Sequence, residues 1–259
     1  MMRPAESSPS SATLRVAVLT RTGRLSGARL AQAVAQSRHT LCGVMAERRT
    51  SLVARVLRRH SGQRLRTLFG VEFWRDRIGS SATRTPAPPA RRVAQDALAA
   101  YAEPGSLNDA SSVSTLSGWA ADVLVVANAP ILQPAVFQSC RIMAINFHTG
   151  RLPEFGGVES EFWALYEAQT EAWVTLHKIS SKLDSGEILA EQPVPVAAGD
   201  TAQSLHAKCI EYGRRMLPEL LDRLADGDRP PLRTPGPANL RPWPTNAQRR
   251  ELRRRRRTT

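Results

Sequence analysis

At 259 residues, 42% of them apolar, the chain has room for one domain or two small ones and enough apolar side chains for a core. No run of roughly 18 apolar residues offers a membrane-spanning helix, and residues 1–13, rich in Ser, Pro and Ala, read as a disordered leader rather than a secretory signal. The net charge of +13 suggests nucleic acid, but ten Arg and one Glu after position 228 carry +9 of it, so the body before them is only mildly basic.

In chain order, residues 14–20 (Leu-Arg-Val-Ala-Val-Leu-Thr) read as a buried first strand. A glycine-bearing loop follows at 21–27, then helical apolar spacing over 28–36 and a second strand at 40–47. This βαβ opening implies a parallel sheet. The loop is not Gly-x-Gly-x-x-Gly, so it gives no dinucleotide site. With Arg21 and Arg24 it could hold an anion at the helix start, or the two arginines could be solvated.

Residues 51–78 are basic with a helical pattern, and the prolines of 85–90 mark a loop. Residues 93–101 fit a short helix or a strand. A helix is expected over 109–120 with Asn108 or Asp109 as cap. The β-branched run 122–127 is a central strand, followed by a loop at 128–132, a short helix at 133–139 and a strand at 141–147. Gly156 and Gly157 mark a turn before a helix at 158–167. Strands at 173–180 and 187–196 flank a loop holding Asp184. A long amphipathic helix spans 201–225, with Asp200 as its cap and Gly227 as its stop. From 228 onward Pro and Arg dominate, and the segment reads as a disordered tail.

Cys42, Cys140 and Cys209 are odd in number, far apart and without a Cys-x-x-Cys pair. They argue against a disulfide framework or zinc site and for a reducing cytoplasm.

Chemistry concentrates between 145 and 186. Asn146 and His148 sit two residues apart on a strand, so their side chains project to one face. The carboxyl end of such a strand is where open α/β sheets hold ligands. Asp184 arrives from the later loop and could orient an imidazolium. An amide and an imidazole that donate to a developing oxyanion, with a carboxylate behind them, suit acyl transfer to an amine. A lone His beside a strand can equally be structural.

The ordered set Asn146-Phe-His148, Leu152-Pro153, Gly157, Val174-Thr-Leu-His177, Asp184-x-Gly186 and Gly199-Asp200-Thr201 resembles the catalytic domain of the folate-dependent formyltransferases. The likeness is strongest over 122–227. It implies a Rossmann-like formyltransferase fold over 14–227, a mostly parallel central sheet flanked by helices, with 10-formyltetrahydrofolate as formyl donor. It implies Asn146, His148 and Asp184 as the catalytic set. A folate pocket would be built from Ala129, Pro130, Ile131 and Leu132 after the central strand, and from Ser181, Lys182 and Leu183 before Asp184. Ile131 and Leu132 could instead be core. His177 is read as structural, as are His39, His60 and His206. Glu159 and Glu161 could recognise an amine or face solvent, and solvent is the expectation.

Several features depart from the pattern. Phe155-Gly156-Gly157 replaces aromatic-Arg/Lys-Gly, and Trp173 stands where many members have Gly. The first loop lacks the glycine- and serine-rich form of the purine enzyme. On the residues given, neither the barrel of the tRNA enzymes after Gly227 nor a regulatory domain before the first strand is expected. The leading expectation is therefore formylation of a small biosynthetic amine: an amino acid, hydroxylamine, amino sugar or peptide-like metabolite. A tRNA-linked amine or nucleic-acid binding through the C-terminal arginines, and hydrolysis of the folate donor, stand as alternatives. No metal or membrane partner is expected, and oligomeric state is not readable.

Overall fold

The computed structural model describes residues 12–48, 89–228 and 233–256. The helical pattern of 51–78 and most of the proline loop of 85–90 lie outside the described residues, as does His60.

Strand β1 (Arg15–Arg21) leads through helix α1 (Leu25–Ala35) to β2 (Thr40–Glu47). The ambiguous stretch at 93–101 resolves into both alternatives: helix α2 (Ala90–Asp96), then strand β3 (Ala100–Ala102). Helix α3 (Ala110–Trp119), strand β4 (Val123–Ala127), helix α4 (Pro134–Phe137) and strand β5 (Met143–His148) follow. Next come β6 (Gly156–Gly157), α5 (Ser160–Tyr166), β7 (Glu171–Lys178), β8 (Ile188–Pro195) and α6 (Ala202–Ala225).

The main sheet has the order β3-β2-β1-β4-β5-β7-β8. Its first five strands are parallel, and β7 and β8 add antiparallel to the β5 edge. This is the mostly parallel, helix-flanked sheet expected of a Rossmann-like formyltransferase fold. The strand period of two sorts side chains between two cores. Val16 and Val18 of β1, and Val123 and Val125 of β4, join Leu30 and Val34 of α1 and Leu217 and Leu221 of α6. Ala17, Leu19, Leu124 and Val126 face the other way, against Leu116 of α3 and Val136 of α4. Because both faces are covered, β1 and β4 read as unbroken apolar runs rather than alternating ones.

One cap expectation is corrected and another is met in position. Thr201, not Asp200, caps α6: its Oγ1 accepts from Ser204 N at 3.1 Å, and Ser204 Oγ accepts from Thr201 N at 2.9 Å. Asp200 instead accepts from Ala197 N, Ser204 Oγ and Lys208 Nζ. Asp109 occupies the cap position of α3 without a capping side-chain bond, and Asn108 braces the loop after β4. Gly227 ends α6 as expected, with φ +83.

The larger correction concerns the C-terminus. Residues 233–256, expected as disordered tail, are folded onto the domain. Strand β9 (Leu240–Arg241) pairs in parallel with β6, and helix α7 (Asn246–Arg255) packs on α5. Helix α7 buries none of its residues. It docks instead through arginine guanidinia on aromatic rings, Arg249 over Phe162 at 5.4 Å and Arg255 over Tyr166 at 5.0 Å. Tyr166 Oη donates to Glu251 at 2.6 Å, and a Thr245/Gln248 capping box starts the helix.

Candidate active site

Strand β5 ends with Asn146 and His148 on the face opposite Ile145 and Phe147, which enter the α1/α6 core. Strand β7 lies antiparallel beside it and sets Asn146 opposite His177. Asn146 Nδ2 is 3.0 Å from His177 Nε2, and His177 Nδ1 is 3.0 Å from the Lys178 carbonyl. A carbonyl only accepts, so Nδ1 carries a proton, and the protonation state of the ring decides whether Nε2 accepts from the Asn146 amide or donates toward Asp184. His177 Nε2 also lies 3.6 Å from Asp184 Oδ1.

The loop between β7 and β8 returns Asp184 to the sheet. Gly186 makes this return feasible: a Cβ there would collide with the Lys178 carbonyl. Asp184 itself has φ +48, a left-handed conformation that Asp tolerates better than most residues. Its Oδ2 accepts from Gly157 N at 2.7 Å. Burial opposes the charge on Asp184, but His177, the neighbouring His148 and the Gly157 amide together outweigh it and bring the pKa down to about 2.

His148 is buried, and its Nε2 donates to the Phe155 carbonyl at 2.7 Å, which Ser160 Oγ also meets at 3.1 Å. The His148 and His177 rings lie edge to face with centroids 6.4 Å apart. The three residues singled out in the sequence thus meet at the end of β5, but their direct link runs through His177, for which a structural role is expected. Alternation puts His177 on one face of β7, and the antiparallel pairing with β5 turns that face toward Asn146.

The two loops expected to hold folate border the same end of the sheet. Asn108 pins the first, with Nδ2 donating to the Ile131 carbonyl at 3.0 Å and Oδ1 accepting from Gln133 N at 2.9 Å. Ile131 is 74% exposed and so is not core, while Leu132 is buried in the apolar cluster beneath the loop. Ala129 and Pro130 are half-buried. Ser181, Lys182 and Leu183 of the second loop are exposed, Leu183 by 44%. Ala129, Leu132 and Ile179 pack against one apolar cluster, so both loops leave the sheet on the same side. Exposed Ile131 and Leu183 beside backbone polar groups suit a flat, partly apolar ligand.

The expectation that Glu159 and Glu161 face solvent is corrected. Glu161 is 5% exposed, bonds to His206 Nδ1 at 2.5 Å and also accepts from the side chain of Thr149. Burial disfavours the charged form of both partners, yet mutual attraction lowers the Glu161 pKa and raises that of His206. Glu159 pairs with Arg249 at 3.5 Å. His39 accepts from Leu14 N at 3.2 Å. Cys42, Cys140 and Cys209 are free, with Cys209 buried. Among the described residues no cluster of His, Cys, Asp and Glu is arranged to hold a metal ion, and no helix is long and apolar enough to cross a membrane.

A family profile described as Formyl transferase matches residues 16–221. The methionyl-tRNA formyltransferase of Synechococcus sp. is 33% identical over 147 residues, covering 56% of this chain and 46% of that protein. The enzyme of the same name from Citrifermentans bemidjiense is 30% identical over 157 residues, covering 60% and 49%. The chain spans about half the length of the curated relatives it matches. Among solved structures, phosphoribosylglycinamide formyltransferase from Anaplasma phagocytophilum gives a TM-score of 0.60 at 22% identity, over 83% of this chain and 88% of that one. WlaRD, a sugar 3N-formyl transferase solved with dTDP and 5-N-formyl-THF, gives 0.55 at 12% identity, over 86% and 66%. At these identities the structural likeness is one of fold. The profile match runs from β1 into α6 and includes every residue of the Asn146–His177–Asp184 set, and the chain belongs to the formyl transferase family.

Proposed function

We propose that the chain transfers a formyl group from 10-formyltetrahydrofolate to the amine of a small biosynthetic metabolite. The observation that carries this reading is the convergence of Asn146, His148, His177 and Asp184 at the end of β5, between two loops with exposed apolar side chains. The donor, when bound, supplies an activated formyl carbon. Asn146 keeps a second Nδ2 hydrogen that can be given to the oxygen on which negative charge develops. With a pKa of about 2, Asp184 stays charged at neutral pH. It therefore acts by holding an imidazolium rather than by taking protons. Proton transfer falls to His148, whose Nε2 is committed to Phe155 and whose Nδ1 remains. Ile131 and Leu183 would cover the apolar part of the donor, and backbone groups of 129–132 and 181–183 its polar edge.

The test mixes purified protein with 10-formyltetrahydrofolate and a pooled set of primary amines and hydroxylamines, following tetrahydrofolate and a one-formyl mass gain. His148→Ala and Asp184→Ala are expected to abolish transfer while leaving the circular dichroism spectrum intact. Normal turnover in both folded variants would sink the mechanism. Formate release without an amine would favour hydrolysis of the donor instead.

A second reading, formylation of a tRNA-linked amine, draws on a specific surface. Arg250, Arg253 and Arg254 recur at i, i+3 and i+4 on α7, are exposed, and have no ion-pair partner among the described residues. Arginines so placed fit a phosphate backbone. Salt-dependent retention of aminoacyl-tRNA, lost on reversing these three charges, would favour it.

A further inference from the structure

A groove of ≈ 490 Å³ lies between the loop that follows His148, the start of β7 and the C-terminal segment 237–241, and none of Asn146, His148, His177 or Asp184 lines it. Its volume falls within the range of small-ligand sites, about 300–1,000 Å³. Trp173 and Phe155 are among its lining residues, and each ring carries a guanidinium on one side, from Arg151 and Arg241 respectively.

The charges around it divide into spent and unspent. Arg241 and Glu167 neutralise each other through two contacts of 2.7 and 3.1 Å, and Arg241 stacks on Phe155 at 5.1 Å. Arg151 lies 4.5 Å from the centroid of Trp173 but has no carboxylate partner among the described residues. Glu154 and Glu171 are exposed and likewise without a partner among them. One unpaired cation and two unpaired carboxylates, set around aromatic surface, complement a zwitterion that carries an apolar side chain. A ligand with only a carboxylate would meet two like charges, and one with only an ammonium would leave Arg151 unanswered.

We propose that this groove is a second ligand site for an α-amino acid or dipeptide with an apolar side chain. Glu154 and Glu171 receive its ammonium, Arg151 its carboxylate, and Trp173 and Phe155 its side chain. The site bears on the catalytic centre through Phe155, whose carbonyl holds His148 Nε2 at 2.7 Å. That consequence rests on the proposed formyl transfer, whereas the binding does not.

The experiment uses the full chain with L-phenylalanine, phenethylamine and 3-phenylpropionate as probes, read by calorimetry and by the indole N–H resonance of Trp173, assigned with Trp173→Phe. L-Phenylalanine is expected to saturate and to shift that resonance, with each single-charge probe about tenfold weaker. The double change Glu154→Gln/Glu171→Gln is expected to weaken L-phenylalanine by about tenfold or more with an unchanged circular dichroism spectrum. The proposal is overturned by the absence of saturation below about 20 mM, by equal affinity for all three probes, or by binding that Asn146→Ala removes and the double change spares. Because the readout is binding, an enzyme that transferred no formyl group would leave this result standing.

Discussion

Deleting everything after Asp228 tests whether the C-terminal segment belongs to the working domain. A solvated tail could be removed without consequence. Here the segment is bonded to the loop that builds the site: Asn239 N donates to the Pro153 carbonyl at 2.8 Å, Val158 N to the Arg241 carbonyl at 3.3 Å, and Ile188 N to the Arg233 carbonyl at 3.0 Å. Trp163 Nε1 donates to the Pro242 carbonyl at 3.0 Å, and Arg233 bonds the Leu152 carbonyl and pairs with Glu191. At a net value of about 1 kcal/mol each, these hydrogen bonds amount to about 5 kcal/mol, a large share of the roughly 5–15 kcal/mol that holds a domain folded. The loss is aimed at the site, because β9 pairs with the Gly157 whose amide donates to Asp184. The truncated protein is expected to unfold at a clearly lower urea midpoint, to exchange its Gly157 amide faster and to lose the proposed formyl transfer even where it remains folded. An unchanged midpoint together with unchanged turnover would refute the argument.

Two further outcomes follow from the site's geometry. In Gly150→Ala the new Cβ would stand 2.5 Å from the Phe155 carbonyl oxygen and 2.8 Å from His148 Nε2, prising that hydrogen bond apart. A stability loss of about 1–3 kcal/mol is expected with it, and a fall in turnover, checked by urea unfolding and the transfer assay; wild-type values in both would count against the role given to Phe155. Asp184, depressed from 3.8 to about 2, contributes stability that is present above pH 4 and lost as pH falls toward 2, because the unfolded chain takes up that proton first. The difference is worth about 2 kcal/mol, so the acid limb of the stability curve should flatten in Asp184→Asn; an identical limb in both proteins would contradict the assignment.

The fold was legible where the side-chain period is enforced on both faces of the sheet. Strand β2 falls at 40–47 as its pattern predicts, and the run before Asn128 is the central strand β4. The residues meeting at the end of β5 were legible because their order along the chain is a strong pattern. Pairings across the fold were not. Alternation places His177 on a face of β7 but does not say that Asn146 lies opposite it. Nor does a glutamate in the first turn of α5 announce a histidine on α6, although Glu161 and His206 bond to each other. The tail misled for another reason. Hydropathy counts arginine as solvated, while Arg249 and Arg255 attach α7 by laying their guanidinia on the rings of Phe162 and Tyr166.

The folded C-terminus bears on chemistry, because the acidity of Asp184 is not a property of its own loop. The Asp-x-Gly sequence explains only how the carboxylate reaches the sheet, through Gly186 and a left-handed backbone at Asp184. Its depressed pKa draws on His177 from β7, on His148 from the end of β5 and on the amide of Gly157. Gly157 is held in turn by Arg241 of β9, some 57 residues beyond Asp184. A chain with the same motif but no segment to pair with β6 would lose a fixed donor to the carboxylate, and its Asp184 would be a weaker acid. His177 and His148 are the larger causes of that acidity, and the arginine-rich region adds to them by fixing the Gly157 amide.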